Sequence, residues 1–421
     1  MEQKDGKNKI WLERKFVFIL IHTPFGMNFF NRLANTKAAR IYARFSIYLM
    51  PLITALGIFL IVTSLMVVSS NAGARAGQRD LGPQSNLLIP GLNPYLPWTY
   101  GWIALVITII IHEAGHGIVA RVHKIKVDST GLLLILGLPI GAFVNIAQEE
   151  LARSTLKQKS AILTAGPLSN MILVAVSLIG LYFIVSTLTP IPTNTPPQQG
   201  VLVIGVGDHT LAQSVGLSKG SIIETVAGQK IHNIEDLGKF LRSNLGNRVG
   251  IMWKDQSGHQ QIQFVTLPKH VDANHGILGI SITGVASDPA QVLRSYKNAF
   301  DPRSNPLNHI VLLLPPTIGA GVQSVPYSNL MAPKYQSSVL GSAFAPIADM
   351  LYWLMFINFN VAIFNALPIG PFDGGQLFKY VIENRSASKR DKFKNVSRLV
   401  SLVMVAMVAI TVLSPYLPFM K

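Results

Sequence analysis

The sequence predicts a polytopic α-helical membrane protein with a membrane re-entrant β-hairpin and an inserted soluble α/β domain. Three observations carry this prediction. Of 421 residues, 49% are hydrophobic and only 13% are charged, about half the ~25% charge of ordinary soluble domains. The missing charge is concentrated in five gaps: Ser46 to Ser69, Trp98 to Ile111, Ser160 to Leu188, Tyr352 to Phe372 and Leu399 to Met420. Each is near or above the roughly 20 residues that span a bilayer. Basic residues cluster beside the gaps, as the positive-inside rule expects. Between the third and fourth gaps the texture becomes mixed, with short alternating runs separated by Gly and Asn.

Residues 1–97 form the first unit. Residues 1–45 hold nine Lys or Arg and read as a cytoplasmic, partly amphipathic lead-in; no cleavable signal peptide is expected, because the apolar run Phe16 to Ile21 is short and followed by Pro24. Residues 46–69 form a first span, and the Gly/Pro/Asn-rich stretch 70–97 an outside loop. Residues 98–188 form the second unit. The span 98–121 runs inward to Arg121, Lys124 and Lys126. The apolar segment 131–144 begins and ends on the basic side and is punctuated by Gly and Pro, which suits a re-entrant hairpin dipping into the membrane. Residues 160–188 return outward and carry Gly166-Pro167-Leu168-Ser169-Asn170, small and polar residues of the kind that let helices approach closely.

After the stiff linker Thr189 to Pro197, residues 200–285 predict strands over 200–204, 222–226, 249–253 and 261–267, a short helix over 211–217 and an amphipathic helix over 234–244. Gly216-Leu217-Ser218-Lys219-Gly220-Ser221-Ile222-Ile223 resembles the GLxxGDxI turn of PDZ domains, with Ser221 replacing the usual Asp. Gly276-Ile277-Leu278-Gly279-Ile280 resembles the carboxylate-binding loop of that family, here at the C-terminal end, as in circularly permuted members. That resemblance implies that Leu278, Gly279 and Ile280 receive a peptide C-terminus. Residues 286–343 read as an irregular interfacial connector. The final unit, 344–421, holds an inward span over 345–366 and a last span over 399–418.

The chemistry begins with His112-Glu113-Ala114-Gly115-His116. Two imidazoles at i and i+4 share one helix face and can bind one metal ion, while the intervening Glu is available as a general base. Ionisable groups in an apolar helix are expensive unless a metal or a water cavity receives them. An idle histidine pair inside a helix bundle is the bland alternative. A zinc site needs a third ligand and an open position. The chain has no cysteine, which excludes thiolate ligands, thiol catalysis and disulfides. The best third candidate is Asp373 in Asn365-Ala366-Leu367-Pro368-Ile369-Gly370-Pro371-Phe372-Asp373-Gly374-Gly375, where Pro368 and Pro371 break the helix and bend the chain. Taken alone, Asp373 reads as an ordinary turn aspartate. The net charge of +16 comes with no nucleic-acid recognition module, so no nucleic-acid partner is expected.

An HExxH motif in one span and NxxPxxxxDG after another together resemble the site-2 protease family of intramembrane zinc metalloproteases. Residues 137–144 are similar to its membrane re-entrant β-loop, and Gly166 to Asn170 to its GxxxN element. The resemblance implies His112, His116 and Asp373 as Zn2+ ligands and Glu113 as general base. It implies Asn170 and Asn365 near the substrate backbone or oxyanion, with interhelical hydrogen bonding the alternative for both. It also implies that Gly137, Gly141 and Gly166 lie where an extended substrate docks. The activity implied is cleavage of transmembrane protein substrates within the lipid bilayer, in regulated intramembrane proteolysis. The N-terminus would be cytoplasmic, the PDZ-like domain extracytoplasmic and the site near the cytoplasmic face. Two other readings compete: a CAAX-type membrane zinc peptidase, which takes a Glu as third ligand, and a non-catalytic PDZ-bearing scaffold. Gly205-Val206-Gly207-Asp208 matches the GxGD of aspartyl intramembrane proteases but lies in the soluble insert.

Overall fold

A computed structural model of the protein describes residues 10–15, 18–70, 75, 78–79, 82–93, 95–135, 138–192, 200–207, 210–255, 257–270, 276–284, 289–301, 303–305, 309, 312, 325–329, 331–385 and 390–417. Gly137 and Asp208 lie outside them. The chain divides into two compact units, residues 1–179 with 350–421, and residues 180–349.

In the first unit a short helix α1 (Met27–Ala34) precedes α2 (Lys37–Ser70). α3 (Trp98–Val122), a short α4 (Gln148–Arg153) and α5 (Leu156–Ser186) follow, the last continuing into the second unit. Among the described residues, five helices are long and apolar enough to cross a membrane: α2, α3, α5, Phe344–Ala366 and a last one over Asn395–Tyr416. The protein is a multi-pass membrane protein. Pro51 and Pro167 lie inside α2 and α5, positions that spans tolerate because neighbouring helices satisfy the freed backbone groups.

The segment expected as a lone hairpin belongs to a four-stranded antiparallel sheet, ordered β1 (Trp11–Lys15), β2 (Phe18–Thr23), β3 (Val127–Ile135), β4 (Leu138–Ile146). Half of it comes from the region read as an amphipathic lead-in. The β-branched Ile19 and Ile21 suit a strand, but their partners Leu134 and Leu132 lie more than a hundred residues away, and no local pattern announces that pairing. Buried His22 fastens the junction: its Nδ1 lies 3.1 Å from Ser129 Oγ on β3, and its ring stacks on Trp11 at 4.4 Å. β4 is an end strand. Pro139 is consistent with that place, beside the register shift between Leu133 and Leu134, since proline enters sheets at edges and irregularities.

The second unit contains a sheet ordered β10 (Gln260–Thr266), β9 (Arg248–Lys254), β7 (Ile222–Val226), β6 (Val201–Val206), β11 (Ile280–Gly284), with β8 (Gln229–Lys230) paired to β7. Helices α6 (Leu211–Ser214) and α7 (Ile234–Ser243) complete it. α7 starts at Asn233, whose side chain accepts from Asp236 N at 2.8 Å, an N-cap that satisfies an orphan donor. Its inner face adds Leu237 and Leu241 to a core with Val203, Ile223, Ile251 and Trp253. A two-stranded pair, β5 (Leu188–Pro190) with β12 (Tyr335–Ser337), lies in the same unit. The connector expected to be irregular contains an amphipathic helix, α8 (Pro289–Ala299), burying Leu293 and Tyr296. α9 (Phe344–Ala366), α10 (Asp373–Arg385) and α11 (Arg390–Leu413) end the chain.

Candidate metal centre

α3 has no charged residue before its fourth turn, and His112 and His116 then fall one turn apart on one buried face. Asp373 arrives from the far end of the sequence. α9 stops at Ala366 ahead of Pro368, and Thr54 on α2 donates to the Ala366 carbonyl at 2.9 Å, holding the place where the chain turns. Gly374 and Gly375 make the turn tight: a methyl on either would stand 2.1–2.2 Å from the carbonyl oxygen of Ala366 or Ile369. Only glycine fits such an approach, and the turn makes Asp373 the first residue of α10.

Three candidate ligand atoms converge. His112 Nε2 lies 3.1 Å from Asp373 Oδ2, His116 Nε2 lies 3.3 Å from the same oxygen, and the two nitrogens are 3.2 Å apart. All three residues are at most 9% exposed. A tetrahedral zinc with bonds of about 2.0–2.1 Å separates its ligand atoms by about 3.3 Å. The triangle therefore has the size of three tetrahedral vertices. Two imidazoles and a carboxylate are a donor set that suits zinc.

The other ring nitrogens fix which atom faces the centre. His116 Nδ1 donates to the Ile162 carbonyl of α5 at 2.7 Å. His112 Nδ1 lies 3.0 Å from the Asn170 side-chain amide, whose Oδ1 is buried without a partner among the described residues. Turning that amide by 180° sets Oδ1 against Nδ1–H. Both histidines then donate through Nδ1 and turn Nε2 toward Asp373, the arrangement that sets tautomer and ring angle in zinc sites. Glu113 points elsewhere: its Oε2 accepts from Val144 N of β4 at 2.9 Å, while a carboxylate oxygen stays within 4.8 Å of a ring nitrogen of each of His112 and His116.

Small residues make room for this. A methyl at Gly166 would stand 2.5 Å from His116 Nε2 and 2.6 Å from His112 Nε2. One at Gly115 would stand 2.3 Å from Ser169 Oγ, so α3 and α5 approach closely along this seam. Tyr42 closes it from α2, donating to the Ala165 carbonyl at 2.5 Å beside Ser169 Oγ at 2.6 Å.

The sequence model of peptidase family M50, the site-2 protease family, matches residues 100–410. The chain belongs to this family. It is similar to an uncharacterised protein of Methanocaldococcus jannaschii, 25% identical over 390 residues, covering 92% of this chain and 83% of that protein. It is also similar to proteins named "Putative zinc metalloprotease" in Clostridium acetobutylicum, 22% identical with 74% and 94% covered, and Clostridium perfringens, 24% identical with 68% and 87% covered. This M50 chain is a zinc metalloprotease by its family and its donor set.

Within the M50 core, His112, His116, Asp373, Asn170 and Gly166 come together. Asn365 does not join them by any described hydrogen bond; it donates to Val361 O of its own helix at 3.1 Å. Gly141 lies on β4, where an added methyl would meet Leu133 at an ordinary 3.4 Å. Leu278 is buried in the core of the second unit and its carbonyl accepts from Ala212 N; Gly279 has φ +71°, and Ile280 begins β11. Sequence reasoning missed three participants. The Ile162 carbonyl and the Val144 amide are backbone groups with no residue-type signal. Thr108, one turn before His112, accepts from buried Asn358 of α9 at 2.8 Å; a Thr and an Asn each in an apolar span were the signal available.

Proposed function

We propose that this chain is an intramembrane zinc endopeptidase that cuts transmembrane segments of membrane-tethered proteins. The observation that carries the reading is the triangle of His112, His116 and Asp373 inside an apolar bundle, with Glu113 held beside the end strand β4. Asp373 at ligand distance favours this over a CAAX-type site, which needs a glutamate there.

Zinc, when bound, lowers the pKa of a coordinated water to about 7 and polarises the scissile carbonyl. The chain supplies the rest. A helical substrate has its carbonyls tied up and must unwind before attack. An extended peptide adding to β4 takes up the outward amides of that strand, Val144 N–H among them, by β-augmentation. That displaces the Glu113 carboxylate from Val144, and freed Glu113 accepts the proton of the attacking water and delivers it to the leaving amide nitrogen. Asn170 and Ile162 hold the histidine rings through both steps.

The basic residues beyond α3 support a site near the cytoplasmic face, with the N-terminus on the same side and residues 200–285 outside. We assign those residues a PDZ-like role, filtering substrates by size or by a newly made C-terminus, because the order of strands and helices agrees with the GLxxGDxI-like turn at 216–223. Deleting 200–285 should widen the range of substrates cut while chemistry persists; a folded, zinc-loaded deletion with no activity on any substrate would count against a filter.

The test of the main reading is cleavage of a single-span model substrate in proteoliposomes, with and without chelator. Glu113→Gln should retain one zinc per chain and lose about 10²–10⁴-fold in kcat, the usual worth of a positioned base. A Gln variant that cuts at the wild-type rate would remove Glu113 from the chemistry, and a chelator-insensitive wild type would remove the metal.

A further inference from the structure

At the basic end of the spans, α2, α3 and α5 part around a cavity of about 200 Å³. It lies seven residues past His116 along the chain, about 10 Å at the helical rise. Arg40 and Arg44 of α2, Lys157 of α5 and His123 at the end of α3 line it over a floor that includes Ala43 and Ala161. None of the lining residues is acidic.

The charge here is unbalanced. No carboxylate among the described residues pairs with Arg40, Arg44 or Lys157. Arg40 and Arg44 stand one turn apart, a like-charge spacing that repels, and the Nε of Arg40 donates to the Thr36 carbonyl just before its helix at 3.4 Å. The Nε2 of His123 is buried without a hydrogen-bond partner among the described residues. Burial and the nearby Lys157 hold its pKa below the ordinary histidine value, so near pH 7 it is a neutral hydrogen-bonding group and not a fourth charge. Three cations and an orphaned buried nitrogen around one cavity suit a multiply accepting anion. On α2 the next residue begins an exposed apolar stripe: Phe45, Tyr48 and Leu52 are 67%, 75% and 66% exposed.

We propose that this cavity binds the phosphate of an anionic membrane lipid, whose acyl chains lie along Phe45, Tyr48 and Leu52. Basic pockets between spans on the cytoplasmic side take acidic headgroups in this way, and the apolar stripe beside the cations favours a lipid over free phosphate.

The test uses the full chain, purified and delipidated in detergent, and counts lipid adducts by native mass spectrometry during titration with phosphatidylglycerol or phosphatidylcholine. Wild type should hold phosphatidylglycerol at least tenfold more tightly than phosphatidylcholine. Arg44→Gln with Lys157→Gln should lose about thirtyfold, at roughly fivefold per cation near an anionic headgroup, with zinc content unchanged. Charge-keeping Arg44→Lys with Lys157→Arg should retain most of the affinity. Where the double variant does not fold, Arg44→Gln alone should lose about fivefold. Equal affinity for the two lipids, or undiminished phosphatidylglycerol binding by the charge-removing variants, overturns the site. Displacement of the lipid by millimolar inorganic phosphate overturns the lipid as the source of the phosphate.

Discussion

Gly166→Ala is a change of one methyl group, and it should disable the metal centre. The new carbon would stand 2.5 and 2.6 Å from the two nitrogens proposed as ligands, His116 Nε2 and His112 Nε2, where contacts below 3.0 Å are essentially never tolerated and 3.4 Å is ordinary. Each imidazole would have to retreat by about 0.5–0.9 Å, several times the ±0.2 Å by which zinc–ligand distances vary. Neither ring is free to do so. His116 is tied through Nδ1 to Ile162 and His112 to Asn170, both on the same helix as the new methyl. Disturbing only an outer partner of a ligating histidine costs about 10–100-fold in metal affinity; displacing both ligands should cost at least the upper end. The assay is zinc per chain by elemental analysis of purified protein at graded free zinc, alongside its melting temperature. Gly141→Ala is the control: it replaces a glycine of the end strand β4, where its methyl meets Leu133 at 3.4 Å, and it should leave zinc content unchanged. A Gly166→Ala protein that binds zinc with wild-type affinity would refute the convergence of the two nitrogens against α5.

Asp373→Ala should leave a two-nitrogen site and reduce zinc to well below one per chain at wild-type occupancy conditions; unchanged metal content would strike Asp373 from the ligand set. Asn170→Ala should lower zinc affinity by about 10–100-fold through the tautomer of His112, whereas a residue acting only on substrate would leave affinity unchanged and reduce turnover alone. Val144→Pro removes the amide that Glu113 accepts in the resting protein and that a docking strand would use. It should preserve zinc and lower kcat/KM by about two- to tenfold, since a docking strand then lacks one neutral hydrogen bond worth about 0.5–1.5 kcal/mol; full activity would refute docking on β4.

The parts of this molecule legible in the sequence are those written in residue type. Charge gaps placed the spans because a charged side chain is costly in lipid, and the i, i+4 histidines announced a shared face. Asp373 was legible through the prolines and glycines that bend the chain around it. The sheet was half legible: the 131–144 segment showed its hairpin, but β1 and β2 carried no mark of where they pair. The helix Pro289–Ala299 was hidden in a stretch judged by its prolines, although Leu293 and Tyr296 have helical spacing.

What the sequence could not disclose is how one stripe of α5 organises the whole centre. Ile162, Gly166 and Asn170 recur every four residues and so lie on one face. The first offers a carbonyl to His116 Nδ1, the second withholds a side chain from the space both Nε2 atoms occupy, and the third holds His112 Nδ1. Pro167 lies on the same helix and leaves the Leu163 carbonyl without its helical donor, next to the Ile162 carbonyl that His116 uses. Motif reading caught Gly166 as a place for substrate and Asn170 as a substrate contact or an interhelical hydrogen bond, because a glycine reads as room for something and an asparagine as a donor to something. The geometry says to what. The histidines of an HExxH helix choose their tautomer only through a neighbour, and here that neighbour is a single helix face that clamps both rings and keeps the space between them clear. A substitution along 162–166–170 should therefore move metal affinity before it moves substrate preference, and that order distinguishes a metal-supporting stripe from a substrate-binding one.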